Sequence, residues 1–165
     1  MLSALFVSLT LLASGPAFAA DQPDIHVEPP NLSGSLHLQD QTAKAVIKDY
    51  LESWKTFSAA FEQNRPDLLD RDFVGSAKDK LASAIKQQSS LGMTTRYRDR
   101  SHDLQVLFYS PEGLSIELAD NVEYNVEILI NNKLAAVQQV HARYLVVLTP
   151  AELRWRVRVF QANTE

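Results

Sequence analysis

Asp120 is the polar residue placed where chemistry could start. It interrupts a run in which every second residue is apolar: Leu114, Ile116, Leu118, then Val122, Tyr124, Val126, Ile128 and Ile130. A period of two sends alternate side chains to opposite faces of a sheet, so the run predicts a long strand with one dry face. Asp120 falls on that dry face. A carboxylate there is desolvated and its pKa rises, the condition for a general base or for a hydrogen bond to a ligand. The plain alternative is that Asp120-Asn121 marks a bend where the strand changes partner and Asp120 meets water. A cavity of roughly 300 Å³ or more opening onto Asp120 would favour the first. A filled interior would remove it.

Other titratable residues cluster more weakly. His102 and Asp103 are flanked by Arg98, Asp99 and Arg100. Adjacent strand residues point to opposite faces, so this pair reads as a solvated strand end and not as a dyad. His141 and Arg143 share one phase, and with Arg154, Arg156 and Arg158 they could form a basic stripe on the outer sheet face. Glu117, Glu123 and Glu127 lie on that side too, so cross-strand ion pairs are the bland reading and a protein-docking face the sharper one. On the docking reading, reversing Arg156 and Arg158 to Glu leaves the fold intact and abolishes partner capture. The four histidines are dispersed, so no metal site is expected. Five glycines in the whole chain offer neither a phosphate-cradling loop nor a nucleophile elbow, and no cofactor is expected.

The elements that would position these residues are legible. No charged side chain occurs in the first 20 residues. Leu2 to Ala13 is almost wholly apolar, Gly15-Pro16 breaks it, and Ala17-Phe18-Ala19 precedes a cleavage point. Residues 1–19 therefore read as a secretory signal peptide, too short to span a membrane, and the protein is expected to be secreted or periplasmic without a stable anchor. A buried or interfacial helix is the alternative. The chain has no cysteine, so disulfides and thiol chemistry are excluded. A net charge of −4 argues against nucleic acid as a partner.

Residues 20–40 hold three prolines and scattered acids and read as a flexible linker, with a minor chance that Ile25 and Val27 or Leu36 and Leu38 add an edge strand. A helix capped by Asp40 or Thr42 follows. Its apolar stripe is Val46, Ile47, Tyr50, Leu51, Trp54, Phe57 and Phe61. Pro66 opens a short helix over Asp67 to Arg71. A third helix carries Ala77, Leu81, Ala84, Ile85 and Gln88 on one face and stops at Gly92. The period then becomes two. Thr94 to Arg100 predicts a short strand, and Leu104, Val106 and Phe108 alternate after it. The long strand ends at an Asn131-Asn132 hairpin. Val140 to Leu148 forms its partner. Leu153, Trp155, Val157 and Val159 share one face of the last strand. The expected fold class is α+β: three N-terminal helices on one face of a curved, mainly antiparallel sheet of about five strands, in a single domain over 41–165.

This order resembles the nuclear-transport-factor-2-like (cystatin-like, α+β cone) superfamily over roughly Thr42 to Ala162. The most specific piece is Arg143-Tyr144-Leu145-Val146-Val147-Leu148, a turn, then Leu153-Arg154-Trp155-Arg156-Val157. The stretch from Leu68-Leu69 to Phe73-Val74-Gly75 is similar to the intermembrane-space domain of plastid-division proteins, a non-enzymatic branch. The resemblance implies a cone whose interior can hold a pocket, here Tyr50, Trp54, Asp120, Tyr124, Tyr144 and Trp155, and homodimers through the exposed sheet face. It matches no catalytic motif of an enzymatic branch. The expected function is an exported non-enzymatic module that binds a partner protein or a small apolar ligand. The alternative is a cofactor-free isomerase, dehydratase or hydrolase with Asp120 as base and Tyr124 or Tyr144 as hydrogen-bond donor.

Overall fold

The computed structural model describes residues 22–32 and 38–163. The signal-peptide reading of 1–19 lies outside them. Among the described residues no helix is long and apolar enough to cross a membrane.

The chain runs β1 (Asp24–Val27), α1 (Asp40–Glu62), a 3₁₀ segment (Pro66–Arg71), α2 (Gly75–Ser90), β2 (Met93–Tyr109), β3 (Ile116–Ile130), β4 (Lys133–Pro150) and β5 (Trp155–Asn163). The sheet order follows the sequence, β1-β2-β3-β4-β5. β1 pairs parallel to β2, and the other three pairs are antiparallel. The fold is therefore α+β as expected, with two α-helices and one 3₁₀ segment among the described residues in place of three helices. Pro66 explains the difference: it fixes the first turn, and the segment is six residues long, too short to develop an α-helical ladder.

α1 lies on the sheet through Val46, Tyr50, Trp54, Phe57 and Phe61, all buried. Asp40 is its first helical residue, not its cap; Gln39 holds the cap position without a side-chain bond. α2 buries Ala77, Ile85 and Gln88. Gly92 ends the run after α2 at φ +65°, and Asn131 and Asn132 make the hairpin with φ of +50° and +61°, the left-handed pair that a two-residue turn needs.

Four further expectations are corrected. The 20–40 segment contains β1, so Ile25 and Val27 are edge-strand residues. The two short strands at 94–108 are one strand, β2, with register shifts at Asp99/Ser101 and Val106/Phe108. The long strand begins at Ile116 and leaves Leu114 exposed in the preceding turn. In β5 a shift between Val147 and Leu148 of β4 makes Arg158 an extra residue. Phe160 rather than Val159 therefore follows Val157 toward the core, where it stacks on Tyr144 with ring centroids 4.6 Å apart.

The free edge of β5 is partly covered. Phe73 bridges Val157 in parallel, with Val74 N–H donating to the Val157 carbonyl and Val157 N–H to that of Asp72. The buried Asp72 carboxylate anchors this joint. It accepts from Thr56 at 2.5 Å, Arg71 at 2.9 Å and Arg154 at 2.8 Å. Burial raises its pKa, but the three donors outweigh burial and hold it below the ordinary carboxylate value.

Candidate ligand-binding site

β3 is central, so its dry face lies under α1. Asp120 sits there opposite Leu104 of β2 and Tyr144 of β4 and is 0% exposed. Its Oδ2 accepts the Tyr50 hydroxyl at 2.7 Å and His102 Nδ1–H at 2.8 Å. Trp54 Nε1–H in turn donates to the Tyr50 oxygen at 2.6 Å. One helix turn separates Tyr50 from Trp54, so the two stack along one stripe and Trp54 meets the carboxylate only through the Tyr50 hydroxyl. Tyr124 and Tyr144 share a hydrogen bond at 3.0 Å beside them, and the Trp54 ring lies 5.8 and 5.5 Å from theirs.

The interior is therefore filled by aromatic side chains. Five of the six residues assigned to a pocket, Tyr50, Trp54, Asp120, Tyr124 and Tyr144, come together there, buried against one another. Trp155 stands at the start of β5, half-buried, its backbone N–H on the Asp49 carboxylate at 2.8 Å. Asp120 points inward, which removes the reading of a water-facing bend. No solvent reaches it, so it cannot act directly on a substrate.

His102 is the residue that sequence reasoning missed. It is 1% exposed and not a solvated strand end. The cause is the register shift in β2: Asp99 pairs with Tyr124, Ser101 with Glu123, and Arg100 is the extra residue. Three residues apart on a regular strand, Asp99 and His102 would face opposite ways; the bulge puts both on the helix side. His102 Nε2 lies 3.8 Å from Asp99 Oδ2. Asp103 keeps the other face, as alternation demands. Burial pulls the His102 pKa down, but the bond to Asp120 and the Asp99 carboxylate outweigh it and push the value up to about 9. The imidazole is thus a cation at neutral pH. Burial and the Asp120 charge push the Tyr50 pKa well above its ordinary value, which keeps that phenol a donor.

A groove of about 700 Å³ opens between β1 and α1. Ile25 and Val27 form one wall and Ile47 and Leu51 the other, with His102 and Asp99 at the floor. Lys44, Lys48 and the Lys55–Glu52 pair stand on the rim. Ile47 and Leu51 belong to the apolar stripe of α1 but lie at its margin, beyond the sheet, which leaves them half-buried. Behind them, His102 joins the groove to Asp120.

The basic stripe is divided. His141 pairs with Glu123 at 3.1 Å on the open sheet face, where Arg143 is also exposed. Arg154 is bonded to Asp72, and Arg156 donates to the carbonyls of Asp70 and Phe73. Arg158 is exposed, and its backbone carbonyl accepts from Ser76. Reversing Arg156 would break contacts that hold the 3₁₀ segment to β5, so that change does not leave the fold untouched. Among the described residues no three His, Asp or Glu side chains converge as metal ligands would.

No family model matches this chain, and no curated protein sequence matches it. Solved structures do. The intermembrane space region of chloroplast protein ARC6 superposes with a TM-score of 0.62 at 13% identity, over 79% of this chain and 100% of that one. A scytalone dehydratase-like protein from Novosphingobium aromaticivorans gives 0.52 at 9% identity, over 76% of this chain and 89% of that one. The fold is nuclear-transport-factor-2-like. Protein Kfla4162 from Kribbella flavida shares it, with a TM-score of 0.52 at 9% identity over 73% of this chain and 90% of that one. At such identities the nuclear-transport-factor-2-like likeness is one of architecture. The fold carries a domain of a chloroplast protein and a dehydratase-like protein alike, so activity has to be argued from the groove.

Proposed function

We propose that this chain is an exported, non-catalytic module that binds a small, largely apolar ligand in the groove between β1 and α1. The groove itself carries the reading. Its volume falls in the range of small-molecule sites, its walls are aliphatic, and two polar groups converge at its floor. Export rests on the apolar Leu2–Ala13 segment and the Ala17-Phe18-Ala19 site. The test is a fluorescence titration with the neutral probe N-phenyl-1-naphthylamine. Saturable enhancement is expected, weakened at least tenfold by Leu51→Asp with the circular dichroism spectrum unchanged. Absence of saturable binding, or equal binding by a folded Leu51→Asp protein, would overturn the proposal.

The buried His102–Asp120 pair favours a second reading, a cofactor-free acid–base enzyme. In it His102, not Asp120, meets the substrate. The Nε2–H group donates to a carbonyl oxygen while Asp99 removes the neighbouring carbon-bound proton. Deuterium exchange at the α-carbons of 4-butylcyclohexanone, followed by NMR, decides it. The reading requires exchange that His102→Gln abolishes. A wild-type protein that leaves the α-protons in place sinks it.

A further inference from the structure

The floor of the groove constrains the polar end of its ligand. His102 Nδ1 donates to Asp120 at 2.8 Å, and in the imidazolium form the ring carries a second N–H, at Nε2, on the side of Asp99 and the groove. The nearest Asp99 oxygen, at 3.8 Å, is too far for a hydrogen bond. The other oxygen, Asp99 Oδ1, is buried and accepts from no group among the described residues. A donor and an acceptor thus stand side by side in the lining of the groove, 3.8 Å apart at Nε2 and Oδ2.

We infer that the ligand is an apolar molecule bearing a hydroxyl, whose oxygen accepts from His102 Nε2–H and donates to the Asp99 carboxylate. Each alternative head group fails at one of the two contacts. An ether or ketone accepts from His102 but leaves Asp99 unpartnered, and a buried acceptor without a donor is costly. An ammonium group donates to Asp99 but meets the imidazolium. A carboxylate meets two carboxylates, Asp99 and Asp120, against one cation. An alcohol or phenol satisfies both, because a hydroxyl donates and accepts at once. Its body then lies along Ile25, Val27, Ile47 and Leu51. The rim lysines are the competing anchor: Lys44 and Lys48 are exposed and could draw an acidic head away from the floor.

The inference rests on the groove reading, and a matched series separates the two. Displacement of N-phenyl-1-naphthylamine is measured with 4-butylphenol, 4-butylanisole and 4-butylbenzoate. The phenol is expected to displace the probe at a concentration about tenfold lower than the anisole, the scale of one charge-assisted hydrogen bond. The benzoate should be weaker than the phenol. Asp99→Ala, at a half-buried position, should abolish the preference for phenol over anisole while the probe still binds. Equal displacement by phenol and anisole would overturn the hydroxyl while the groove stands. Tighter binding of the benzoate would overturn it and move the polar end to Lys44 and Lys48. Failure of the probe itself to bind would remove the groove reading instead.

Discussion

At the scale of residues, His102 gathers most of what is unusual here. Asp120 and Asp99 face it with negative charge, the Trp54 ring lies 5.2 Å away, and Tyr50 shares its carboxylate. Its pKa in the folded chain is about 9 against an ordinary 6.5. A folded-state pKa raised above the unfolded one contributes stability that is complete below about pH 6.5 and is lost as pH rises through about 9. Urea unfolding should therefore show the protein losing stability between those values, in a range where ordinary carboxylates are already ionised. His102→Gln should flatten that loss. An equally steep decline in the variant would mean that some other group titrates there. The Asp120 carboxylate belongs to the same unit. Alone in an aromatic interior it would be expensive; His102 and Tyr50 both donate to its Oδ2, and Trp54 supports the Tyr50 hydroxyl.

At the scale of elements, β1 and β2 decide whether a site exists. β1 is four residues long, exposed along its length, and joined to the sheet only through β2. It adds little to the core, yet Ile25 and Val27 are one wall of the groove. A chain that starts at Glu28 should therefore melt within a few degrees of the full protein and bind N-phenyl-1-naphthylamine at least tenfold more weakly. The residues after β1 keep their own ties to β2, Glu28 N–H to the Leu104 carbonyl and Asn31 N–H to that of Val106. Unimpaired binding by the shortened chain would place the probe elsewhere.

β2 also shows where sequence reading stops. Tyr97 and Asp99 face α1 in one phase, whereas His102, Leu104 and Val106 face it in the other. A strict period of two cannot join them, so the sequence reads as two short strands with His102 in the gap. The same failure moves Val159 out and Phe160 in across the extra residue Arg158. By contrast, the stripe from Val46 to Phe61 and the run from Ile116 to Val122 are regular, and both were legible. Asn131-Asn132 was legible because few residues accept two successive positive φ values. Arg154 and Arg156 were misread because their partners, Asp72 and the carbonyls of Asp70 and Phe73, lie some eighty positions away in the chain.

At the scale of the whole molecule, aromatic side chains of the described residues pack the space between α1 and the sheet. Trp54 touches the rings of Phe57, His102, Tyr124, Tyr144 and Phe160, and such packing suits a chain without a disulfide to constrain it. The groove is displaced to the flank, where β1 and α1 meet over the floor residues. The extra residue Arg100 then has a consequence for descent. Its side chain is exposed and its identity matters little, but its presence turns Asp99 and His102 to the same side. A lineage could acquire or discard this floor by one codon inserted or deleted, with every other residue unchanged. Where the two strand phases meet, the spacing of the residues carries the floor, and their identities alone do not.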